Sequence, residues 1–279
     1  MKPIVAVIAP GAMGAAVAQR LTENGVEVRT LLDGRSAAST ARAAAAGMRP
    51  VNEAAVAEVD ILLSIVPPGD ALALAERLAP ALARGNQRLV YADCNAVSPA
   101  TVSRIDAVTA GAGRRFVDAG IIGGPPKPGA AGPIFYASGP EAVALAVLAD
   151  HGLRVKTLDA PIGAASGLKM SYAGITKGTT ALAAAMMLAA TRFGVADDLR
   201  AELAASQPDM LTQFERSVPG MFPKAYRWVA EMEEIAAFAG EDAASRDIYL
   251  GIAQFYARLA RDQAGEKAEI GQLRAFLEP

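Results

Sequence analysis

IAPGAMGAAVAQRLTENG, Ile8 to Gly25, closes the first apolar run of the chain and opens an alanine-rich stretch with helical spacing. A strand, a glycine-rich turn and a helix in this order aim backbone N–H groups and a helix N-terminus at one point, the arrangement that holds a pyrophosphate. Gly11 and Gly14 stand at the second and third glycine positions of such a turn, with Ala12 and Met13 between them. Ala9 stands where the first glycine is expected; that glycine serves the tightness of the turn, and a small residue before Pro10 makes a similar bend. The turn predicts a dinucleotide site around Gly11 and Gly14.

Working outward, the runs IVAVIA, VEVRTLL, DILLSIV, RLVYAD, RRFVDAG, PIFYASG and LRVKTL alternate with alanine-rich helical stretches through about residue 160. Such alternation predicts an α/β domain of the Rossmann type, a doubly wound, mostly parallel sheet with helices on both faces. After Pro161 the strand-like runs stop. Residues 165–192 read as one long helix whose glycines mark close helix packing, and further helices are expected around Pro208 to Phe214, Pro223 to Ala239 and Ala243 to Ala260. The expected domains are 1–160, dinucleotide-binding, and 161–279, all-α and serving substrate and dimer contacts.

The 279 residues are 52% hydrophobic, enough for a substantial core, and 27 basic residues against 29 acidic give a net charge of -2. No basic surplus is available for a nucleic-acid backbone. The apolar run Ile4 to Ile8 is too short to span a membrane, so a cytoplasmic enzyme with no membrane partner is expected. One cysteine, Cys94, forms no internal disulfide, and one histidine, His151, leaves no His/Cys cluster for a metal. His151, in ADHGLRV, is read as ending a helix.

Past the second expected strand comes LLDGRS, Leu31 to Ser36. Asp33 suits ribose hydroxyls, as in NAD enzymes, whereas Arg35 with Ser36 suits a 2′-phosphate. The Arg-Ser ending favours NADP, with NAD as the alternative.

Four later stretches complete the pattern: SIVPPGD (Ser64 to Asp70), DCNAVSP (Asp93 to Pro99), DAGIIGG (Asp118 to Gly124) and GAASGLKMSYA (Gly163 to Ala173). In this order the chain resembles the β-hydroxyacid dehydrogenase superfamily, which includes 6-phosphogluconate dehydrogenase, 3-hydroxyisobutyrate dehydrogenase and the imine reductases. The resemblance covers the N-terminal domain and the start of the helical one. It implies that Gly11, Ala12, Met13 and Gly14 form the cofactor-binding diphosphate turn, that Val66, Pro67 and Pro68 lie beside the nicotinamide ribose, that Asn95 lies near the nicotinamide, and that Ile122, Gly123 and Gly124 form the substrate loop. Lys169 falls on the family's catalytic lysine.

Oxidising an alcohol requires a group that takes the hydroxyl proton as hydride leaves, and a lysine of lowered pKa suits that task. In reduction the same lysine donates the proton. At about 100° per residue, Tyr172 and Thr176 lie near the helical face of Lys169 and are added as catalytic candidates. Two departures bear on the substrate. Ile122 replaces the usual serine before the glycine pair, and Ala173 the usual asparagine four residues after the lysine. The proline-rich GGPPKPGAAGP suggests a rigid, altered substrate loop in which Lys127 is more readily solvated than paired. The leading expectation is an NADP-preferring enzyme acting on a small hydroxy or oxo compound. An imine reductase and a non-catalytic dinucleotide sensor are the alternatives. TTALAAAMMLAATRFGV is apolar around most of its circumference and predicts a homodimer through the C-terminal helices.

Overall fold

The computed structural model describes residues 2–127 and 129–278 and divides into two compact units, Met1–Met170 and Ser171–Pro279. The division falls inside a helix, ten residues beyond the point where the strand-like runs end, because the first turns of that helix are bound to the sheet of the first unit.

That sheet has eight strands: β1 (Ile4–Ile8), β2 (Glu27–Thr30), β3 (Arg49–Pro50), β4 (Ile61–Ser64), β5 (Val90–Asp93), β6 (Arg115–Ile122), β7 (Ile134–Ser138) and β8 (Arg154–Thr157). They lie in the order β3-β2-β1-β4-β5-β6-β7-β8. All neighbours pair in parallel except β6 and β7, which run antiparallel. The sheet is therefore the mostly parallel, Rossmann-type one expected. Alternation along the strands sends side chains to two cores. Val5 and Val7 join Leu63 and Ala92 on one face under α1 (Ala12–Glu23), whereas Ala6, Ile8, Leu62 and Tyr91 join the other. On that second face they meet α4 (Ala71–Leu82) and α5 (Pro99–Gly111), through Leu74, Leu78, Val102 and Ile105. Two short helices complete the windings, α2 (Ala37–Ala45) and α3 (Glu53–Val56). A 3₁₀ segment, Ala142–His151, ends at His151 with Gly152 in the left-handed region, as a chain stop requires.

Strand order reverses between β1 and β4, so the loops after β1, β4 and β5 share one edge of the sheet. Ligands of open α/β sheets bind at that kind of edge.

One helix, α6 (Ala164–Phe193), runs through the unit boundary, and the expected 165–192 helix matches it. In the second unit it is followed by α7 (Ala196–Ser206), α8 (Pro208–Met221), α9 (Ala225–Phe238), α10 (Ala243–Ala264) and α11 (Ala268–Leu277). The missing side chains at Gly174 and Gly178 let Tyr249 of α10 lie close: a Cβ on Gly174 would stand 2.8 Å from the Tyr249 hydroxyl. Tyr256 donates its hydroxyl to the Lys177 carbonyl at 2.5 Å and stacks edge-on against Trp228 of α9. The helix expected within 208–214 is longer, running from Pro208 to Met221 with Pro219 inside its last turn.

Candidate active site

Gly11 is the N-cap of α1, and no side chain caps the helix there. A Cβ on Gly11 would meet nothing within 4 Å, so there is open space beside this N-cap. Gly14 has the opposite reason to be glycine: a Cβ would stand 2.0 Å from the Ala9 carbonyl oxygen, closing the approach of α1 to the strand. An uncapped helix start with close helix–strand packing fits a dinucleotide pyrophosphate. Ala12 is exposed and Met13 half-buried beside it. The turn is braced from both sides. Ala9 donates its N–H to Ile65 O at 3.1 Å, and Arg42 donates Nε–H to Pro10 O at 3.0 Å.

At the end of β2, Asp33 and Arg35 are exposed, and Ser36 caps α2, accepting from the Ser39 N–H. Val66, Pro67 and Pro68 form the loop after β4, which the buried Asn95 holds in place. Asn95 accepts the Val66 N–H at 2.7 Å and donates to Ser64 Oγ at 2.8 Å and Asp93 Oδ1 at 2.5 Å. Both its donors are thereby used inside the protein, so Asn95 acts on this edge by fixing the backbone of Val66.

Asp93 beneath it is fully buried, and its Oδ2 has no hydrogen-bond partner among the described residues. Burial raises its pKa to about 7, helped by Asp118, against the lowering effect of the Asn95 hydrogen bond. Asp93 and Asp118 face each other in the β5–β6 register. Of the two, Asp118 accepts more hydrogen bonds. Its Oδ2 accepts from Ser138 Oγ at 2.9 Å, the Gly163 N–H at 2.9 Å and the Ser166 N–H at 3.1 Å, and its Oδ1 from Ser166 Oγ at 2.6 Å. Ser138 Oγ in turn accepts the Ala165 N–H at 3.0 Å. The start of α6 is thus tied to β6 and β7 by a buried carboxylate, at the helix end that favours negative charge. Gly120 completes the join, since a Cβ there would stand 2.7 Å from Ala165 O.

This anchoring places Lys169. Its side chain is half-buried, and Nζ donates to Ile121 O at 2.8 Å, at the end of β6. Ile122, half-buried, and the exposed Gly123 and Gly124 follow directly. Gly123 has φ 122°, a conformation that demands glycine, with Pro133 against it, whereas Gly124 has open space at its Cα. Pro128 of GGPPKPGAAGP lies outside the described residues. Lys127 is exposed, and its carbonyl accepts from Arg20 at 2.9 Å. Further along α6, Tyr172 is 50% exposed, and Thr176 Oγ1 donates back to the Tyr172 carbonyl at 2.9 Å. Among the described residues no group of three or more His, Cys, Asp or Glu is arranged to hold a metal.

Asp118, Ser138 and Ser166 escaped the sequence reading, although Asp118 and Ser166 stand inside quoted motifs. Their partners are 20 to 48 residues away, and no local spacing signals that convergence.

Residues 4–152 match the NAD binding domain of 6-phosphogluconate dehydrogenase, and residues 190–259 match a domain of unknown function (DUF1932). A conserved protein of unknown function, whose structure shows similarity with 3-hydroxyacid dehydrogenases, is 30% identical with a TM-score of 0.70; the match covers 93% of this chain and 98% of that one. Two more distant structures share the fold. The 3-hydroxyisobutyrate dehydrogenase of Mycobacterium tuberculosis, solved with L-serine, is 21% identical with a TM-score of 0.69, covering 98% of this chain and 100% of that one. An imine reductase of Myxococcus stipitatus, solved with NADP+ and as a variant with NAD+, is 19% identical with a TM-score of 0.57, covering 99% and 100%.

Proposed function

The chain belongs to the family of the 6-phosphogluconate dehydrogenase NAD-binding domain, and from that premise we propose that it is an NADP-preferring dehydrogenase or reductase of a small hydroxy or oxo compound, with Lys169 as general acid/base. Similarity to 3-hydroxyacid dehydrogenases and imine reductases supports a nicotinamide-dependent oxidoreductase at the coarser level.

The observation that carries the finer reading is Lys169 Nζ at 2.8 Å from Ile121 O, at the strand end that leads into Gly123 and the open Gly124. A bound nicotinamide supplies or accepts the hydride. Lys169 supplies the other half of the change, taking the hydroxyl proton during oxidation and returning it to the carbonyl oxygen during reduction. The Ile121 carbonyl holds the amine at the strand end in either direction. NADP is favoured by Arg35, exposed beside the Ser36 cap of α2. We further propose a cytoplasmic homodimer that joins through its C-terminal helices and has no nucleic-acid or membrane partner.

With an active substrate found from a panel of hydroxy acids, aldehydes and imines, Lys169→Met is expected to lower kcat by about 10²- to 10⁴-fold, the usual range for a positioned acid/base, with cofactor Kd nearly unchanged. Near-normal kcat in Lys169→Met would overturn the assignment and move attention to Tyr172. Turnover of imines alone would favour the imine reductase reading, and nucleotide binding without turnover across the panel would favour the sensor.

A further inference from the structure

Arg42 has no place in the motifs read from the sequence, yet it reaches the dinucleotide turn from the neighbouring helix. Its Nε–H is donated to Pro10 O at 3.0 Å and an Nη2–H to Ser39 Oγ at 2.9 Å. These two bonds bridge the turn after β1 and the first turn of α2. Ser36 Oγ donates to Ser39 Oγ at 3.2 Å, so two hydroxyls and a guanidinium form one connected group. Among the described residues no carboxylate forms an ion pair with Arg42 or Arg35. Two of the five N–H donors of Arg42 are accounted for, which leaves the rest of its fork for an anion.

In a sheet of this topology the adenosine ribose lies between the turn after β1 and the end of β2. Arg42 bonds to the first of these, and Arg35 stands in the segment that follows the second. The two differ in how they are held. Arg35 sits in an exposed loop, whereas Arg42 is oriented by bonds to Pro10 and Ser39 before any ligand arrives. A pre-oriented fork spends less side-chain freedom on binding and discriminates more sharply.

Resting on the NADP reading above, we propose that Arg42 is the anchored member of a 2′-phosphate clamp made with Ser36, Ser39 and Arg35, and that it determines cofactor specificity. The clamp ties recognition of the 2′-phosphate to the shape of the pyrophosphate turn through the Pro10 carbonyl.

The test measures Kd of NADPH, NADH and adenosine 2′,5′-bisphosphate by titration calorimetry on the full chain, as wild type, Arg42→Gln, Arg42→Lys and Arg35→Ala, with Tm recorded for each. Arg42→Gln is expected to weaken NADPH and the bisphosphate by roughly 10- to 100-fold and NADH by less than about threefold. Arg42→Lys, which keeps the charge and loses the fork, is expected to fall between wild type and Arg42→Gln for NADPH. Arg35→Ala is expected to weaken NADPH less than Arg42→Gln. Equal losses for both dinucleotides in Arg42→Gln would make Arg42 a brace of the turn alone and overturn the proposal. Unchanged NADPH affinity in that variant would overturn it as well, leaving the NADP reading standing on wild-type selectivity. A wild type that binds NADH as tightly as NADPH, and leaves the bisphosphate unbound, would overturn the NADP reading itself.

Discussion

A single carboxyl group shows how burial sets behaviour on this sheet edge. Asp93 keeps one oxygen unpartnered inside the protein, faces Asp118 in the strand register, and titrates near pH 7 instead of in the usual carboxylate range. The folded chain therefore binds more protons at this position than the unfolded chain does, between about pH 4 and pH 7. Its contribution to stability is full below the unfolded pKa and is lost as pH rises through the folded one. Asp93→Asn stays neutral, keeps an acceptor for Asn95 and removes that dependence. The Tm of Asp93→Asn minus that of wild type is expected to widen from pH 4 to 7 and to level off above pH 8. Parallel Tm curves in a pH series would show that Asp93 is charged throughout. The same residue scale separates the two glycines of the turn: Gly14 is required by the Ala9 carbonyl, whereas Gly11 has open space around it.

Polar groups join distant elements of this sheet as well as apolar ones, and α6 is the clearest case. Its first turns present N–H groups that a local side chain would ordinarily cap, and Asp118 of β6 takes Gly163 and Ser166 from across the fold. Removing that carboxylate strands two N–H groups and two hydroxyls in a buried site. Asp118→Ala is expected to cost about 3 kcal/mol or more, roughly 6–12 °C in Tm, with Asp118→Asn intermediate. The Lys169 amine rides on this helix, so kcat should fall in the same variants. Thermal unfolding with a loss under about 1 kcal/mol would mean that the α6 start is held by packing alone. Two helices of the second unit, α7 and α11, went unread in the sequence for different reasons. None of the α7 residues is buried, so no apolar stripe marks it. In α11 the four buried residues, Ile270, Leu273, Phe276 and Leu277, fall within ten residues, too short a run for its period to stand out.

At the scale of the molecule, the helix that carries Lys169 also presents an apolar stripe. Ile175, Leu182, Met186 and Phe193 of α6 are 68%, 56%, 61% and 84% exposed, and they recur at seven, four and seven residues along one face. A stripe of this kind is costly in water, and a second copy of the chain would cover it. This helix is also long and apolar enough to cross a membrane by length and composition, with half of its most apolar window buried in the protein. The proposed homodimer and a membrane partner therefore predict different outcomes. Light scattering at micromolar concentration should give twice the 28.7 kDa chain mass without detergent, and Ile175→Glu with Met186→Glu should return it to the monomer. A monomeric wild type would defeat the dimer.

By itself the sequence determined the Rossmann-type sheet and the long helix after it, because each depends on local order: short apolar runs alternating with helical stretches, glycines at fixed offsets, and an unbroken helical run; the candidate lysine came from the resemblance to the β-hydroxyacid dehydrogenase superfamily. It also marked Gly11 and Gly14 in the turn, while the resemblance pointed to the loop Val66 to Pro68 and the glycine pair Gly123 and Gly124. Only the tertiary structure decided how those pieces are held. Asn95 was read as a neighbour of the nicotinamide, and its side chain is spent on Val66, Ser64 and Asp93. Asp118 carries no local signal for capping a helix 45 residues away, and Arg42 none for reaching a carbonyl 32 residues back. Hydrogen bonds between distant segments depend on which strands become neighbours, and that order is set by the packing of the whole sheet rather than by any window of the chain.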